Sequence, residues 1–465
     1  MKDRKEYYRK IPGVDVLLEQ PSVRVLIEVL GKGIVTNAVR KEVEALRELI
    51  RTGTEEEMER ELEAFSGNLP EKILRAGRVT PCRVLNASGI LLHTNLGRAP
   101  LGNSQRQAAF EVLSGYCSLE WDRETGKRGK RREHYEDLIC RVTGAEAALA
   151  VNNNAAAMLL LLGTLEKGKE VLVSRGELIE IGGKFRIPDV MEQSGMKLHE
   201  VGTTNRTRIS DYERAVSPET AAILKVHTSN YKICGFTEDT SVEELSSLGK
   251  KQNIPVFADL GSGVLLDLER FGISHEPTVQ EVLKKGADVV CFSGDKLLVG
   301  PQAGILAGKK EWIRKMETHP LMRALRPDKC TIALLAASFR EYLDEDQAVR
   351  NIPVLRMLSR SGEELKQQAD MVCSYLKEGN LQVAAEVCES RNMVGGGALP
   401  CEMLSGYAVV LSSRQMSCEM LMEKLRKLPV PVIGHVKNEK VWLEMRTIMP
   451  EETELLKREL EEAGK

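Results

Sequence analysis

The residues with the clearest chemical potential lie around Lys296, in the stretch 287–304. The apolar run 289–292 predicts a buried strand, and the turn-forming residues 293–295 end it. Lys296 then stands alone in an uncharged segment. A lysine among apolar residues at a strand end is a candidate for a lowered pKa, which a Schiff-base lysine needs because only the neutral amine attacks a carbonyl. The pattern indicates a Schiff-base lysine, with an ordinary surface lysine as the alternative.

Two other motifs match parts of the sequence but lack features that their functions require. Ser293 and Lys296 fit the Ser-x-x-Lys nucleophile of penicillin-recognising hydrolases, which also need Ser-Asp-Asn and Lys-Thr-Gly. Neither tripeptide occurs in this sequence. The run 163–169 fits Gly-x4-Gly-Lys, but Glu170 follows it instead of Ser or Thr, and it precedes a predicted strand.

The elements that must position Lys296 alternate between strands and helices. Such alternation predicts an α/β fold with a mostly parallel sheet covered by helices. In these sheets ligands bind at the carboxyl ends of the strands. The predicted strands are residues 147–151, 171–173, 222–226, 256–259, 289–292 and 305–307.

Three of these strand ends fit parts of one ligand. Residues 152–155 lead into a helix, whose N-terminus favours a phosphate. Asp259 ends another strand, where a carboxylate suits a protonated ring nitrogen, and Lys296 follows a third. A phosphate cradle, an acid for a pyridinium and a lysine for an aldehyde are the set that pyridoxal phosphate requires.

The composition limits the class of protein. A length of 465 residues suits about three domains. Lysine and arginine number 66 against 68 acidic residues, so only a local basic patch could attract a polyanion. The 10 cysteines and 7 histidines show no metal-ligand spacing, so we expect no catalytic metal and a reducing compartment. Without a signal segment or an apolar run of membrane-spanning length, a cytoplasmic protein is expected.

We predict three parts in the chain. Residues 1–75 form a helical module, which precedes the α/β pattern and is a candidate for contacting a partner. Residues 76–334 form the large α/β domain, and residues 76–100 lead into it as a turn-rich segment. Residues 335–465 form a smaller α+β domain.

Some local elements are also predicted. Residues 55–63 should form an acidic helix, and residues 395–397, all glycine, a hinge. Short strands are expected at residues 408–411 and 441–444, with a charged helix at 451–461. A run with 6 basic and 2 acidic residues, 122–132, is typical of a solvated loop, although its two glycines would allow close approach to a phosphate.

Several long motifs occur in a fixed order along the chain. They are residues 86–89 (Asn-Ala-Ser-Gly), 93–101 (His-Thr-Asn-Leu-Gly-Arg-Ala-Pro-Leu), 124–129 (Glu-Thr-Gly-Lys-Arg-Gly), 175–177, 180–183, 185–188, 227–231, 292–298 and 319–326. With these motifs the sequence resembles the bacterial selenocysteine synthases, the L-seryl-tRNA(Sec) selenium transferases, over nearly its whole length. Residues 1–75 look like the tRNA-binding domain of that family.

The resemblance implies an aspartate-aminotransferase-like (fold type I) enzyme that binds pyridoxal 5′-phosphate. Lys296 would bond the cofactor aldehyde, and Asp259 would pair with the ring nitrogen. Asp295, beside the lysine, is expected to be catalytic, without an assigned role. The other cofactor-binding residues implied are Ser293, Asn153 and Asn154 at the phosphate, and Ser229 and Asn230 near the ring hydroxyl.

The resemblance also implies a reaction. L-Seryl-tRNA(Sec) would be converted to L-selenocysteinyl-tRNA(Sec) by β-elimination to a dehydroalanyl intermediate, followed by addition of selenium from selenophosphate. Arg98, Arg323 and Arg326 would bind selenophosphate, because guanidinium forks suit phosphate oxygens. Arg323 and Arg326 are three residues apart, so one helical turn should point both the same way. Spacing alone would equally fit surface arginines capping a helix.

The family forms ring-shaped homo-oligomers, which implies a decamer here. The sequence departs from the family pattern at Val299, where glycine is usual, at Pro327, where an aliphatic residue is usual, and at His435, where arginine is usual. Pro327 is expected to end a helix near Arg326. None of these departures removes a proposed catalytic group.

Two other functions stay open on the sequence. One is a pyridoxal-phosphate lyase or transferase acting on a small amino compound, which would need neither residues 1–75 nor the three arginines. The other is a catalytically silent tRNA-binding scaffold. Retention of Lys296, Asp259 and Ser293 argues against the scaffold.

Overall fold

The structure, a computed structural model, describes residues 4–77, 81–181, 185–379 and 383–464. The chain divides into two units, residues 1–83 and 84–465. The glycines 182 and 183 of the sequence motif 180–183 lie outside the described residues. Among the residues that are described, no helix is both long and apolar enough to cross a bilayer.

The first unit is helical, as predicted. Val39, Val43, Leu46 and Ile50 recur at helical spacing, and all four are buried in its core. The acidic helix predicted for residues 55–63 continues much further, to Gly77. The helices are α1 (Arg4–Arg9), α2 (Val14–Leu18), α3 (Pro21–Leu30), α4 (Lys32–Thr52) and α5 (Glu55–Gly77).

The second unit is α/β. Its helices are α6 (Asn103–Leu113), α7 (Glu136–Thr143), α8 (Asn154–Gly163), α9 (Ile187–Ser194), α10 (Ile209–Ala215), α11 (Val242–Gln252), α12 (Val279–Lys284), α13 (Lys310–Thr318), α14 (Leu321–Leu325), α15 (Lys329–Glu341), α16 (Glu345–Asn351), α17 (Pro353–Ser359), α18 (Gly362–Glu378), α19 (Cys418–Lys427) and α20 (Thr453–Gly464). Short 3-10 helices lie at Thr94–Leu96, Arg131–His134, Arg175–Glu177, Leu268–Phe271, Met445–Thr447 and Pro450–Glu452.

The strands of this unit form two main sheets and two minor pairs. They are β1 (Leu85–Asn86), β2 (Ile90–Leu92), β3 (Ala147–Val151), β4 (Glu170–Ser174), β5 (Glu180–Ile181), β6 (Phe185–Arg186), β7 (Lys197–Val201), β8 (Thr220–Val226), β9 (Val256–Gly261), β10 (Val289–Ser293), β11 (Gly304–Gly308), β12 (Ala384–Gly395), β13 (Ala398–Ser412), β14 (Val432–Ile433), β15 (His435–Lys437) and β16 (Lys440–Glu444).

The larger sheet has seven strands in the order β3-β11-β10-β9-β8-β4-β7. Only β11 runs antiparallel to its neighbours, so the prediction of a mostly parallel sheet is confirmed. All six predicted strands belong to it. The seventh, β7, was not predicted because its residues, Lys-Leu-His-Glu-Val, are largely polar, as befits an edge strand.

The smaller sheet has five strands in the order β15-β16-β13-β12-β2. Its long hairpin corrects two predictions. The short strand expected at 408–411 is the end of the 15-residue β13. The glycines 395–397 are not a hinge but the turn that joins β12 to β13, with φ of 76°, 65° and 73°, where glycine avoids the strain of a side chain.

Candidate active site

Lys296 follows β10 and is buried, with 4% of its surface exposed. Two glycines leave room for its amine. Its Nζ lies 3.9 Å from the position that a Cβ would take on Gly261, at the end of β9, and 3.9 Å from the equivalent position on Gly397. Both glycines have positive φ, of 62° and 73°. The larger sheet and the β12–β13 hairpin therefore meet at this amine.

The environment of Lys296 favours its neutral form. Burial lowers its pKa against the attraction of Asp259, and the positive charge of Arg98 adds to the lowering. Within the described residues the amine makes neither a hydrogen bond nor an ion pair. A buried amine of this kind is available to bond a carbonyl carbon.

The turn after Lys296 is held by side chains from α6 and from the residue that follows α15. Gln105 Nε2 donates to the Val299 carbonyl at 2.9 Å, and Tyr342 Oη donates to the Leu298 carbonyl at 2.9 Å. Val299 is fully buried with φ of 56°, a conformation that strains a β-branched residue. The departure from glycine at this position therefore leaves the left-handed turn in place, and the surrounding contacts hold it there.

Asp259 is buried and lies two residues before Gly261, the last residue of β9. Its Oδ1 accepts hydrogen bonds from Asn154 Nδ2 at 2.8 Å and from the Gly261 amide at 3.1 Å. Burial raises the pKa of Asp259, against the opposing effects of Asn154 and Lys296. The carboxylate is thus oriented by neutral donors and has no directly bonded cation within the described residues.

The start of α8 lies beside Asp259. The Asn153 side chain caps the helix by accepting from the Ala156 amide at 2.9 Å, which is the usual role of asparagine at this position. The Asn153 and Asn154 side chains are thus both engaged within the protein. The amides of the first helical residues, Asn154 and Ala155, have no intrahelical acceptor and are the groups that could meet a phosphate.

Ser229 and Asn230 lie next to the same two glycines. Ser229 Oγ lies 3.3 Å from the Cβ position of Gly261, and Asn230 Cβ lies 3.6 Å from that of Gly397. Asn230 Nδ2 donates to the Glu180 carbonyl at 2.9 Å, whereas its buried Oδ1 has no partner. Buried polar atoms without partners are uncommon and often mark a place where a ligand binds.

Arg98 reaches the site through Asp295. Its Nη1 donates to Asp295 Oδ2 at 2.6 Å, and Arg98 itself has φ of 62°. Both side chains line a cavity of about 460 Å³, together with Leu101, Pro301 and Gln302. Asp295, adjacent to Lys296 in sequence, therefore holds Arg98 at the wall of a cavity that an anion could enter.

The other two arginines are arranged differently from the prediction. The helix α14 ends at Leu325, and Arg326 is extended, with φ of −67° and ψ of 141°, because Pro327 follows it. Arg323 and Arg326 therefore do not share a helical turn, and that prediction was wrong. Arg326 Nη1 lies 3.6 Å from Glu120 Oε1, whereas Arg323 is exposed.

The position of Arg326 is nevertheless close to the start of α8. The Asn152 amide donates to the Leu325 carbonyl at 2.9 Å, so the backbone leading to Arg326 lies against the turn that precedes Asn153. Four of the residues at this site, Gly261, Gly397, Gln105 and Tyr342, were not predicted as site residues from the sequence. Only Gly261 carries a local signal, as a glycine at the end of a strand.

The groups around Lys296 fit pyridoxal phosphate. They combine a buried amine without an ion partner, a buried carboxylate at a neighbouring strand end, free amides at a helix start, and the unpartnered Oδ1 atoms of Asn154 and Asn230. Ser293 is also buried, and no hydrogen bond to its hydroxyl is found in the described part of the chain. On this sheet, the set defines a pyridoxal-phosphate enzyme of fold type I.

The comparisons with known proteins identify the family. Residues 84–449 match the family model "L-seryl-tRNA selenium transferase", and residues 8–47 match "Selenocysteine synthase N terminal". The chain belongs to the L-seryl-tRNA selenium transferase family. The expected pyridoxal 5′-phosphate and the aspartate-aminotransferase-like fold are thereby confirmed.

Individual relatives cover almost the whole chain. It is 46% identical over 452 residues to an L-seryl-tRNA(Sec) selenium transferase of Alkaliphilus oremlandii, covering 97% of both proteins. Its identity to one of Geobacter sulfurreducens is 46% over 446 residues, covering 96% of both. Among solved structures, D-glucosaminate-6-phosphate ammonia-lyase matches with a TM-score of 0.55 at 18% identity, covering 83% of this chain and 99% of that one. At that identity the likeness concerns the fold.

Proposed function

We propose that this chain converts L-seryl-tRNA(Sec) to L-selenocysteinyl-tRNA(Sec), with selenophosphate as the selenium donor. The observation that carries the proposal is the buried, unpaired amine of Lys296 between Gly261 and Gly397. A relative that is 46% identical to this chain over 97% of its length is named for this activity. Because the match covers 97% of both proteins, it supports the same substrate and the same reaction for this chain.

The residues around Lys296 divide the work of the site. When bound, pyridoxal phosphate supplies the electron sink that lets the seryl group lose its β-hydroxyl and take up selenium. Lys296 would hold the cofactor through its aldehyde, and its free amine would take the α-proton of the seryl group on Nζ. Its lowered pKa keeps the neutral amine available. Asp259 pairs with the ring nitrogen, oriented by Asn154.

Five further residues hold the cofactor in this proposal. The Ser293 hydroxyl and the amides at the start of α8, in the Asn153–Asn154 turn, bind the phosphate. Ser229 and Asn230 lie near the ring hydroxyl, where the unpartnered Oδ1 of Asn230 can accept a hydrogen bond.

The selenium donor binds through arginines. Arg98 is placed by Asp295, which gives that carboxylate a positioning role next to the reacting lysine. Selenophosphate would compete with Asp295 for the Arg98 guanidinium, since both are anions that accept from it. Arg326 and Arg323 complete the donor site. The Asn152–Leu325 hydrogen bond keeps the backbone of Arg326 near the start of α8, and Glu120 lies 3.6 Å from its side chain.

The larger organisation follows the same proposal. Residues 1–75 serve as the tRNA-binding module, residues 76–334 as the cofactor domain and residues 335–465 as the small domain. The match of residues 8–47 to "Selenocysteine synthase N terminal" supports the first assignment. We infer a cytoplasmic homodecamer, for which the mass of the purified protein in solution is the test.

The decisive experiment compares wild type, Lys296→Ala and Lys251→Ala. Lys251 is an exposed lysine of α11 and serves as the matched control. Each protein receives seryl-tRNA(Sec) and selenophosphate, while the visible absorbance of bound cofactor is recorded. Wild type and Lys251→Ala should bind cofactor and form selenocysteinyl-tRNA, and Lys296→Ala should lose both.

Two results would change the proposal. Cofactor absorbance without selenium transfer would favour a lyase or transferase acting on a small amino compound. No absorbance in wild type, even with added cofactor, would contradict the role of Lys296 and favour a silent tRNA-binding protein.

A further inference from the structure

A hydrogen-bonded hairpin, which we call the basic hairpin, is formed by residues 120–129. Trp121 and Arg128 pair across it as an antiparallel bridge. The Asp122 amide donates to the Lys127 carbonyl at 2.9 Å, and the Gly129 amide donates to the Glu120 carbonyl at 3.1 Å. The basic run seen in the sequence is therefore an ordered structure rather than a loose loop.

Trp121 differs from the other two tryptophans of the chain. Lys315 lies over the Trp312 ring at 3.9 Å, and Lys437 lies over the Trp442 ring at 4.7 Å. Trp121 is 58% exposed, and within the described residues no ring or cation covers it. It borders a surface cavity of about 330 Å³ that Arg123 and His134 also line. A large aromatic face is thus open beside a recess of mixed charge, whose lining includes the cations Arg123 and Lys130 and the carboxylates of Asp122, Glu124 and Glu133.

The basic hairpin has three cations and three carboxylates, but all three cations are exposed, whereas Glu124 is the one fully exposed carboxylate among its described residues. Arg123 and Lys127 are exposed, and no carboxylate within the described chain pairs with either. Arg128 is 78% exposed despite its contact with Glu120 at 2.9 Å. The Asp122 carboxylate is turned inward, where Oδ1 accepts from the Glu124 amide at 2.9 Å. The cations of the tip are therefore available to solvent while this acidic group is occupied.

Contacts at the base of the hairpin connect it with the candidate active site. Glu120 accepts from Arg131 at 2.7 Å and lies 3.6 Å from Arg326. The backbone beside Arg326 is bonded to Asn152, at the start of α8. The open tryptophan thus belongs to a structure that is continuous with the proposed phosphate site.

We propose that the basic hairpin binds the unpaired 3′ end of the charged tRNA. Trp121 stacks on a base, and Arg123 and Lys127 neutralise phosphates. Unpaired nucleotides expose the base faces that stack on aromatic side chains, whereas bases within a duplex do not. The inference rests on the proposed function, because an aminoacyl group can reach Lys296 only with the single-stranded end that carries it.

The test measures the affinity of the full-length, cofactor-loaded protein for two RNAs. One is intact tRNA(Sec), and the other is the same tRNA without its unpaired 3′ nucleotides. The variants are Trp121→Leu, Trp121→Phe and Tyr116→Leu. Tyr116 is a fully exposed aromatic residue outside the basic hairpin, so its variant serves as the control. Arg123→Ala and Lys127→Ala are measured over a range of salt concentrations.

Trp121→Leu should weaken binding of intact tRNA by about tenfold or more, because stacking is worth roughly that much per base. Trp121→Phe and Tyr116→Leu should bind almost as wild type does. On the trimmed tRNA, Trp121→Leu and wild type should be equal. Arg123→Ala and Lys127→Ala should each reduce the slope of affinity against salt by about 0.7 to 1.

Three outcomes would overturn the inference. They are unchanged affinity in Trp121→Leu, equal weakening on intact and trimmed tRNA, and a changed oligomeric state in Trp121→Leu, which would make the hairpin a contact between copies of this chain. Turnover of seryl-tRNA(Sec) by wild type is recorded in parallel. Its absence would count against the proposed function alone, since the binding comparison does not depend on it.

Discussion

Two lysines at the seven-stranded sheet, the partly buried Lys225 and the buried Lys296, have opposite surroundings. Lys225, in β8, donates to Glu177 at 2.7 Å, to Asp239 at 3.0 Å and to the Thr240 carbonyl at 2.9 Å. Lys296, after β10, has no such partner within the described residues and faces Gly261 and Gly397 instead. The first amine is fully bonded, and the second has free space beside it.

The pKa values of the two lysines move in opposite directions. Burial acts to lower the pKa of Lys225, but attraction by Glu177 and Asp239 outweighs it and raises the pKa. Burial lowers the pKa of Lys296, and attraction by Asp259 and Asp295 is too weak to offset this effect. Burial alone therefore does not make a lysine reactive. A buried lysine becomes reactive when, like Lys296, it has no bonded carboxylate and has free space beside its amine.

Removing each amine should affect stability differently, and this is the largest expected effect. Lys225→Met leaves the buried Glu177 without a counter-ion and should cost about 3–5 kcal/mol of the unfolding free energy. Lys296→Met removes an uncompensated buried amine and should cost nothing or stabilise the cofactor-free protein. Urea unfolding of the cofactor-free proteins measures both.

A matched double variant, Lys225→Met with Glu177→Gln, should recover most of the loss, because it removes the unpaired charge as well. Equal destabilisation by Lys225→Met and Lys296→Met would show that the two sites do not differ as described.

The pH dependence of stability should separate the same two lysines. The pKa of Lys296 is lowered on folding, so the unfolded chain binds the proton more tightly and stability rises with pH up to the ordinary lysine pKa of about 10.4. The stability advantage of Lys296→Met over wild type should therefore shrink from neutral to alkaline pH. The pKa of Lys225 is raised, so its contribution should persist up to the ordinary pKa and fall only above it.

Unfolding free energies of the cofactor-free proteins at several pH values between neutral and alkaline provide the measurement. A difference between Lys296→Met and wild type that stays constant with pH would contradict the lowered pKa of Lys296.

The smallest effect tests the space beside Lys296. Gly397 and Gly272 both have φ of 73°, but a methyl group added at Gly397 would have neighbours within 4 Å, whereas one added at Gly272 would meet open space. Each change to alanine should cost about 1–2 kcal/mol of stability, from backbone strain alone. Only Gly397→Ala, whose methyl would lie 3.9 Å from Lys296 Nζ, should also weaken binding of pyridoxal phosphate in a titration. Equal cofactor affinity in both variants would contradict the role of Gly397.

The sequence predicted the parts of the site that follow apolar strands. Asp259 and Lys296 were found because buried parallel strands appear as short apolar runs with polar residues at their ends. Gly397 was not found, because nothing local shows that a hairpin turn from the smaller sheet reaches the amine of Lys296. Such a contact depends on tertiary packing.

Other features follow from local rules, and the helix end expected near Arg326 is one of them. The extended conformation of Arg326 follows from Pro327, since the residue before proline avoids the helical region. The capping role of Asn153 follows from its place before a helix. The strand β12 was not predicted because its residues, Ala-Ala-Glu-Val-Cys-Glu-Ser-Arg-Asn-Met-Val-Gly, are too polar to form an apolar run.

The pairing of β2 with β12 has a consequence for the order of events during synthesis. Ile90 is the partner of Met393, so the segment carrying Arg98 cannot take its place until about 300 further residues have left the ribosome. At about 5–20 residues per second, that wait lasts roughly 15–60 s. Gly397 arrives at the same late stage. A nascent chain therefore contains Lys296 well before the site around it is complete. Lys296 can bind the cofactor aldehyde within that site only once the protein is finished.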